Sequence, residues 1–97
     1  MAAYVIADVD VLDADRFAEY RELAPDVLRR YGVEYVVRGG TVEVLEGDWR
    51  PSRLVILAFE DVEHARRWYR SPEYQELKAL RDGYSKTNLV IVEGVEN

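Results

Sequence analysis

With 97 residues the chain makes one domain, 1–97, of ordinary small size, and such a chain buries only roughly 60–65% of its unfolded surface. Hydrophobic residues at 48% and charged residues at 33% are those of a globular protein, and a formal charge of −6 sets the chain against phosphate backbones and anionic membranes as partners. The absence of cysteine excludes disulfides, thiolate nucleophiles and thiolate metal sites.

The first predicted element is a strand from Ala3 to Val11, with Val5, Ala7, Val9 and Val11 on one side and Tyr4, Ile6, Asp8 and Asp10 on the other. Two aspartates inside that run read as a strand and not as a secretion signal, so the expected compartment is the cytoplasm. Asp13 is an N-cap, and Phe17, Tyr20, Ala24, Val27, Leu28 and Tyr31 form a helical stripe closed by Gly32. Pro25 inside this helix lacks an N–H and crowds the carbonyl of Arg21, which predicts a kink or restart there. A second strand covers Val33 to Arg38, with Tyr35 and Val37 on one face and Glu34, Val36 and Arg38 on the other. Gly39-Gly40 then turns into a short predicted strand over Val42 to Leu45, followed by a turn at Gly47-Asp48.

Arg53 to Phe59 is an unbroken apolar strand, a pattern of burial on both faces. Asp61 caps a helix carrying Val62, Ala65, Trp68 and Tyr69 on one side. Ser71-Pro72 starts another in a new direction, with Tyr74, Leu77 and Leu80-Arg81 inward and Gly83 at its end. Thr87 to Val92 is the last strand, and Glu93 to Asn97 a short tail. Arg29-Arg30 and Arg66-Arg67 with Arg70 lie among acids and read as solvated helix faces.

This order predicts an α+β domain: a ferredoxin-like split β-α-β with a four-stranded antiparallel sheet and helices on one face. The strands from Arg53 and Thr87 are apolar on both faces, yet helices can cover only one. The uncovered face needs a second sheet, which predicts a homodimer closed as a dimeric α/β barrel.

Val37-Arg38-Gly39-Gly40, Glu43 to Trp49, Arg53, Trp68-Tyr69 and Ser71-Pro72-Glu73-Tyr74 together resemble the bacterial domain-of-unknown-function 1330 family over Ala3 to Gly94. The resemblance implies the dimeric α/β-barrel superfamily, which includes cofactor-independent monooxygenases, small-molecule isomerases, dehalogenase-like and haem-degrading enzymes and stress-response proteins. Relatives often follow the first helix with a glycine pair, where this chain has Gly32-Val33. Many carry an acid before the strand phenylalanine, where this chain has Ala58.

Candidate chemistry centres on few residues. Arg38, beside a glycine pair that permits close approach, either anchors a carboxylate or enolate or pairs with Glu43 or Glu46 across the hairpin. His64 is the only histidine, which excludes a multi-histidine metal site; it is a candidate proton carrier or an exposed first-turn residue. No phosphate loop or serine triad can be assembled. Tyr20, Tyr31, Trp68, Tyr69 and Tyr74 read as core aromatics whose polar ends can also line a cleft, with Arg81 aimed into the same region. Trp49, in a loop, either plugs the subunit interface or lids a pocket, and the interface is favoured.

The function expected is binding of a small apolar or aromatic metabolite between helices and sheet. Arg38, His64 and Tyr69 are the candidate catalytic residues, Tyr20, Trp68, Tyr74 and Arg81 would bind substrate, and no metal or organic cofactor takes part. The chemistry would be of monooxygenase, isomerase or cyclase type. The alternatives are a non-catalytic dimeric binding or interaction module, and a packed dimer without a pocket.

Overall fold

The computed structural model describes residues 1–95, so the end of the predicted tail, 96–97, lies outside the described residues. The elements run β1 (Ala3–Val11), α1 (Ala14–Arg30), β2 (Glu34–Arg38), β3 (Leu54–Phe59), α2 (Val62–Arg70), α3 (Pro72–Asp82) and β4 (Ser85–Glu93). The four strands form an antiparallel sheet in the order β2-β3-β1-β4, and α1, α2 and α3 lie on one face of it. This is the ferredoxin-like split β-α-β arrangement. Among the described residues no helix is long and apolar enough to cross a membrane.

The helices start where their caps direct. Asp13 accepts from Arg16 N, Asp61 from His64 N and Ser71 from Tyr74 N, each satisfying a first-turn donor. Ala3, Val5, Ala7 and Val9 of β1 are buried beneath the helices, together with Leu57 and Phe59 of β3. Phe17, Ala24 and Leu28 from α1, Ala65 and Trp68 from α2, and Tyr74 and Leu77 from α3 close over them.

Three local expectations are corrected. First, Val42 to Leu45 forms no strand: residues 39–53 are irregular, and Leu45 is 84% exposed. Gly39, at φ 68°, turns the chain while its N–H donates to Leu54 O (2.8 Å), so β2 pairs directly with β3. The more apolar β3 takes that edge, and the Val42 segment is left without a ladder. Second, α1 does not restart at Pro25 but continues as one helix to Arg30. The Arg21 carbonyl, which proline cannot serve, accepts instead from Arg38 Nη2 (3.3 Å). Third, β2 is bulged between Tyr35 and Val37: Tyr35 pairs with Leu57, Val37 with Ile56 and Arg38 with Val55. The extra residue reverses the alternation and brings Arg38 to the helix-covered side with Tyr35.

The other sheet face is uncovered. Tyr4 and Ile6 of β1, Leu54 and Ile56 of β3, and Val90 and Val92 of β4 share it by register. Val90 is 56% and Val92 45% exposed, so the face is apolar and open in the single chain. Asp8 stands on the same side and holds the long loop against it, accepting from Trp49 Nε1 (3.1 Å) and Ser52 N (3.0 Å).

Candidate functional site

Between the helices and the covered sheet face lies a cleft of about 50 Å³. Its walls are mostly aliphatic and aromatic, from Val5, Ala7 and Val55 on the sheet and Phe17 and Leu28 on α1. Four arginines also line it: Arg21, Arg38, Arg53 and Arg81. None of the described lining residues is Asp, Glu or His, although the chain as a whole carries a charge of −6.

Arg81 is at the buried end, only 4% exposed. Helical spacing stacks it two turns beyond Tyr74 on α3, and its Nη1 donates to the Tyr74 hydroxyl (2.7 Å). Its remaining ionic contact is loose, Nη2 to Asp82 Oδ1 at 3.4 Å, while Asp82 is taken more closely by Lys78 (2.8 Å). Burial, partly offset by Arg81, pushes the Tyr74 phenol up to about 12. Tyr74 therefore stays neutral, accepts from Arg81 and keeps its own proton to donate.

Arg21 and Arg38 are exposed and Arg53 is half-buried. Arg38 rests on the ring of Tyr35 (4.7 Å to the centroid) and Arg53 on that of Phe17 (5.8 Å). Among the described residues neither makes an ion pair. Burial and the neighbouring charges of Arg21 and Arg38 lower the pKa of Arg53, so this corner of the cleft is short of negative charge. The Arg53 guanidinium packs over Gly39, where any Cβ would collide with it. Gly39 thus admits an arginine of the same chain, a role the sequence pattern alone left open.

Five buried side-chain polar atoms lack a partner among the described residues, and three of these belong to cleft residues: Arg53 Nε, Arg81 Nε and Trp68 Nε1. All three are N–H donors. The site therefore offers donors and little to accept them.

Of the residues singled out from the sequence, Tyr20, Arg38, Trp68, Tyr74 and Arg81 line this cleft together. His64 and Tyr69 are placed elsewhere. His64 Nδ1 accepts from Glu60 N (3.2 Å) and its Nε2 meets the carbonyl of Tyr31, so both ring nitrogens are engaged in tying the end of α1 to the start of α2. Tyr69 stands behind Tyr74, with ring centroids 5.4 Å apart. Its neighbourhood backs the cleft wall. Sequence reading missed Arg21, Tyr35 and Arg53. The signals were Pro25, which frees the carbonyl that draws in Arg38, and Gly39, whose missing side chain makes room for Arg53. Among the described residues no group of three or more His, Asp or Glu is placed to hold a metal ion.

Fold and site together define a ferredoxin-like α+β domain with an arginine-lined cleft beneath its helices. The chain belongs to the family described as Domain of unknown function (DUF1330), whose model matches residues 2–95. It is similar in structure to a protein of unknown function from Rhodopseudomonas palustris, at 18% identity and a TM-score of 0.77, over 99% of this chain and 84% of that one. A protein from Jannaschia sp., described as dimeric, ferredoxin-like and of unknown function, aligns at 12% identity and a TM-score of 0.72, over 97% and 100% of the two chains. SnoaB from Streptomyces nogalater, described as a cofactor-independent oxygenase, aligns at 14% identity and a TM-score of 0.60, over 99% and 94%. No curated protein matches the chain. These likenesses establish the fold.

Proposed function

We propose that the protein is a homodimer that binds a small metabolite in the cleft between helices and sheet. The observation that carries the binding half is the Arg81–Tyr74 pair: a buried guanidinium and a neutral phenol, hydrogen-bonded to each other and lining an otherwise apolar space. Such convergent polar groups in an apolar cleft are the usual make-up of a ligand site. The dimer half is supported by the open apolar sheet face and by the dimeric description of the Jannaschia protein.

The space of about 50 Å³ suits a small ligand, since a cavity needs about 10–15 Å³ to admit one water. The lining can stabilise negative charge on oxygen through Arg81, Tyr74 and Arg53, but its described members include no group suited to take a proton near neutral pH. Binding is accordingly the leading reading. Catalysis without a cofactor is the second, favoured by the structural likeness to a cofactor-independent oxygenase. It requires a substrate that reaches the cleft already ionised.

Native mass spectrometry of the purified protein tests the proposal. The expected spectrum is that of two protomers with a retained small ligand on each. A bare monomer, with cleft resonances unmoved by a library of small metabolites, would contradict it.

A further inference from the structure

The exposure of the arginines sorts them along the cleft. Arg38 is exposed, Arg53 is half-buried, and Arg81 is 4% exposed beside Trp68 at 2%. Guanidinium groups thus run from mouth to floor, and the Nε–H groups of Arg53 and Arg81 and the indole N–H of Trp68 have no protein acceptor among the described residues. Buried donors are paired in nearly all proteins, and these three sit on residues that line one cleft but are closed to water-sized contact, so an acceptor-rich guest would reach them as the cleft opens around it. Arginines clustered on a lining without carboxylates, with only Arg81 loosely paired to Asp82 outside it, favour a negative guest, and the planar fork of a guanidinium suits two oxygens on one carbon.

We infer that the cleft selects a small carboxylate, with Arg53 as its principal charge partner, Arg38 guarding the entrance, and Trp68 and Arg81 donating from the floor. The inference rests on the cleft being the ligand site proposed above, and it adds the chemical class of the ligand and the specificity residue. The lowered pKa of Arg53, set first by burial and then by Arg21 and Arg38, agrees with it, because a bound anion would offset both. Gly39 belongs to the same corner, since its missing side chain leaves room for the guanidinium where it now sits.

Propionate and propionamide have nearly the same shape and differ in charge, which makes them a direct probe pair. Each is titrated into the whole protein at fixed ionic strength while the side-chain N–H resonances of Arg53, Arg81 and Trp68 are followed by NMR. The expected result is that propionate shifts all three, that propionamide binds at least tenfold more weakly, and that Arg53→Gln weakens propionate at least tenfold with little effect on the amide. The wild-type comparison stands even if that variant folds poorly. Equal binding of the two probes in the cleft would overturn the carboxylate inference and leave the cleft a ligand site. Propionate shifts confined to surface arginines such as Arg29 and Arg66 would overturn it as well. No response of the cleft to either probe would overturn both the inference and the binding proposal.

Discussion

At the scale of single residues, Gly39 and Arg53 are interlocked. Gly39 has φ 68°, and a Cβ there would strike the Arg53 guanidinium. Gly39→Ala should therefore cost about 1–2 kcal/mol in chemical denaturation, chiefly from left-handed backbone strain, while the flexible arginine swings aside. A variant as stable as the parent would contradict the strained turn at Gly39.

Tyr74 offers a test by pH. Its phenol is raised from 10.0 to about 12, so the fold favours the neutral form. The corresponding stability is fully present below pH 10, the unfolded value, and is lost as pH rises through 12. The loss amounts to about 2–3 kcal/mol. Tyr74→Phe should be less stable near neutrality by about 1–3 kcal/mol, because Arg81 Nη1 loses its acceptor. It should nevertheless fall less steeply between pH 10 and 12, and parallel stability profiles would count against the buried pair. Both residues of this pair were visible in the sequence as inward positions of one amphipathic helix. Arg53 was not, because nothing local distinguishes a strand-leading arginine at a cleft from one in solvent.

At the scale of elements, the caps, the helix stripes and the two-faced apolar strands were legible, because each follows from spacing within one segment. The bulge in β2 was not. It is decided by how β2 pairs with β3, and a single extra residue moved Arg38 from the face expected to the opposite one. The missing Val42 strand has the same origin, since alternation allows a strand but only a free partner edge makes one. The loop that replaces it is fastened by Asp8 to Trp49 and Ser52. Asp8→Ala should loosen residues 39–53, seen as faster proteolysis there and a stability loss of about 1–2 kcal/mol. Unchanged cleavage kinetics would show that the loop is held by other contacts.

At the scale of the whole molecule, the helices roof one side of the sheet in a molecule only 16 Å across its thinnest extent, and the bare side carries Ile6, Ile56, Val90 and Val92. A chain this small gains much by covering such a face. Light scattering after size exclusion should give a dimer for the parent and a monomer for Val90→Arg, with Trp49→Ala weakening association. A monomeric parent at micromolar concentration would remove the dimer from the proposal. The family and fold were readable from motifs spread along the chain, whereas the proposed carboxylate was hinted at only by Arg38, and its case rests on four arginines distant in sequence around one space.

The most direct test of the account is a crystal structure of the protein grown with propionate, read for where the carboxylate sits. The account predicts density inside the cleft, with oxygens within hydrogen-bonding distance of Arg53 and of the Trp68 and Arg81 N–H groups. A cleft empty of propionate at saturating concentration, or one holding it with its carboxylate turned away from those donors, would contradict it.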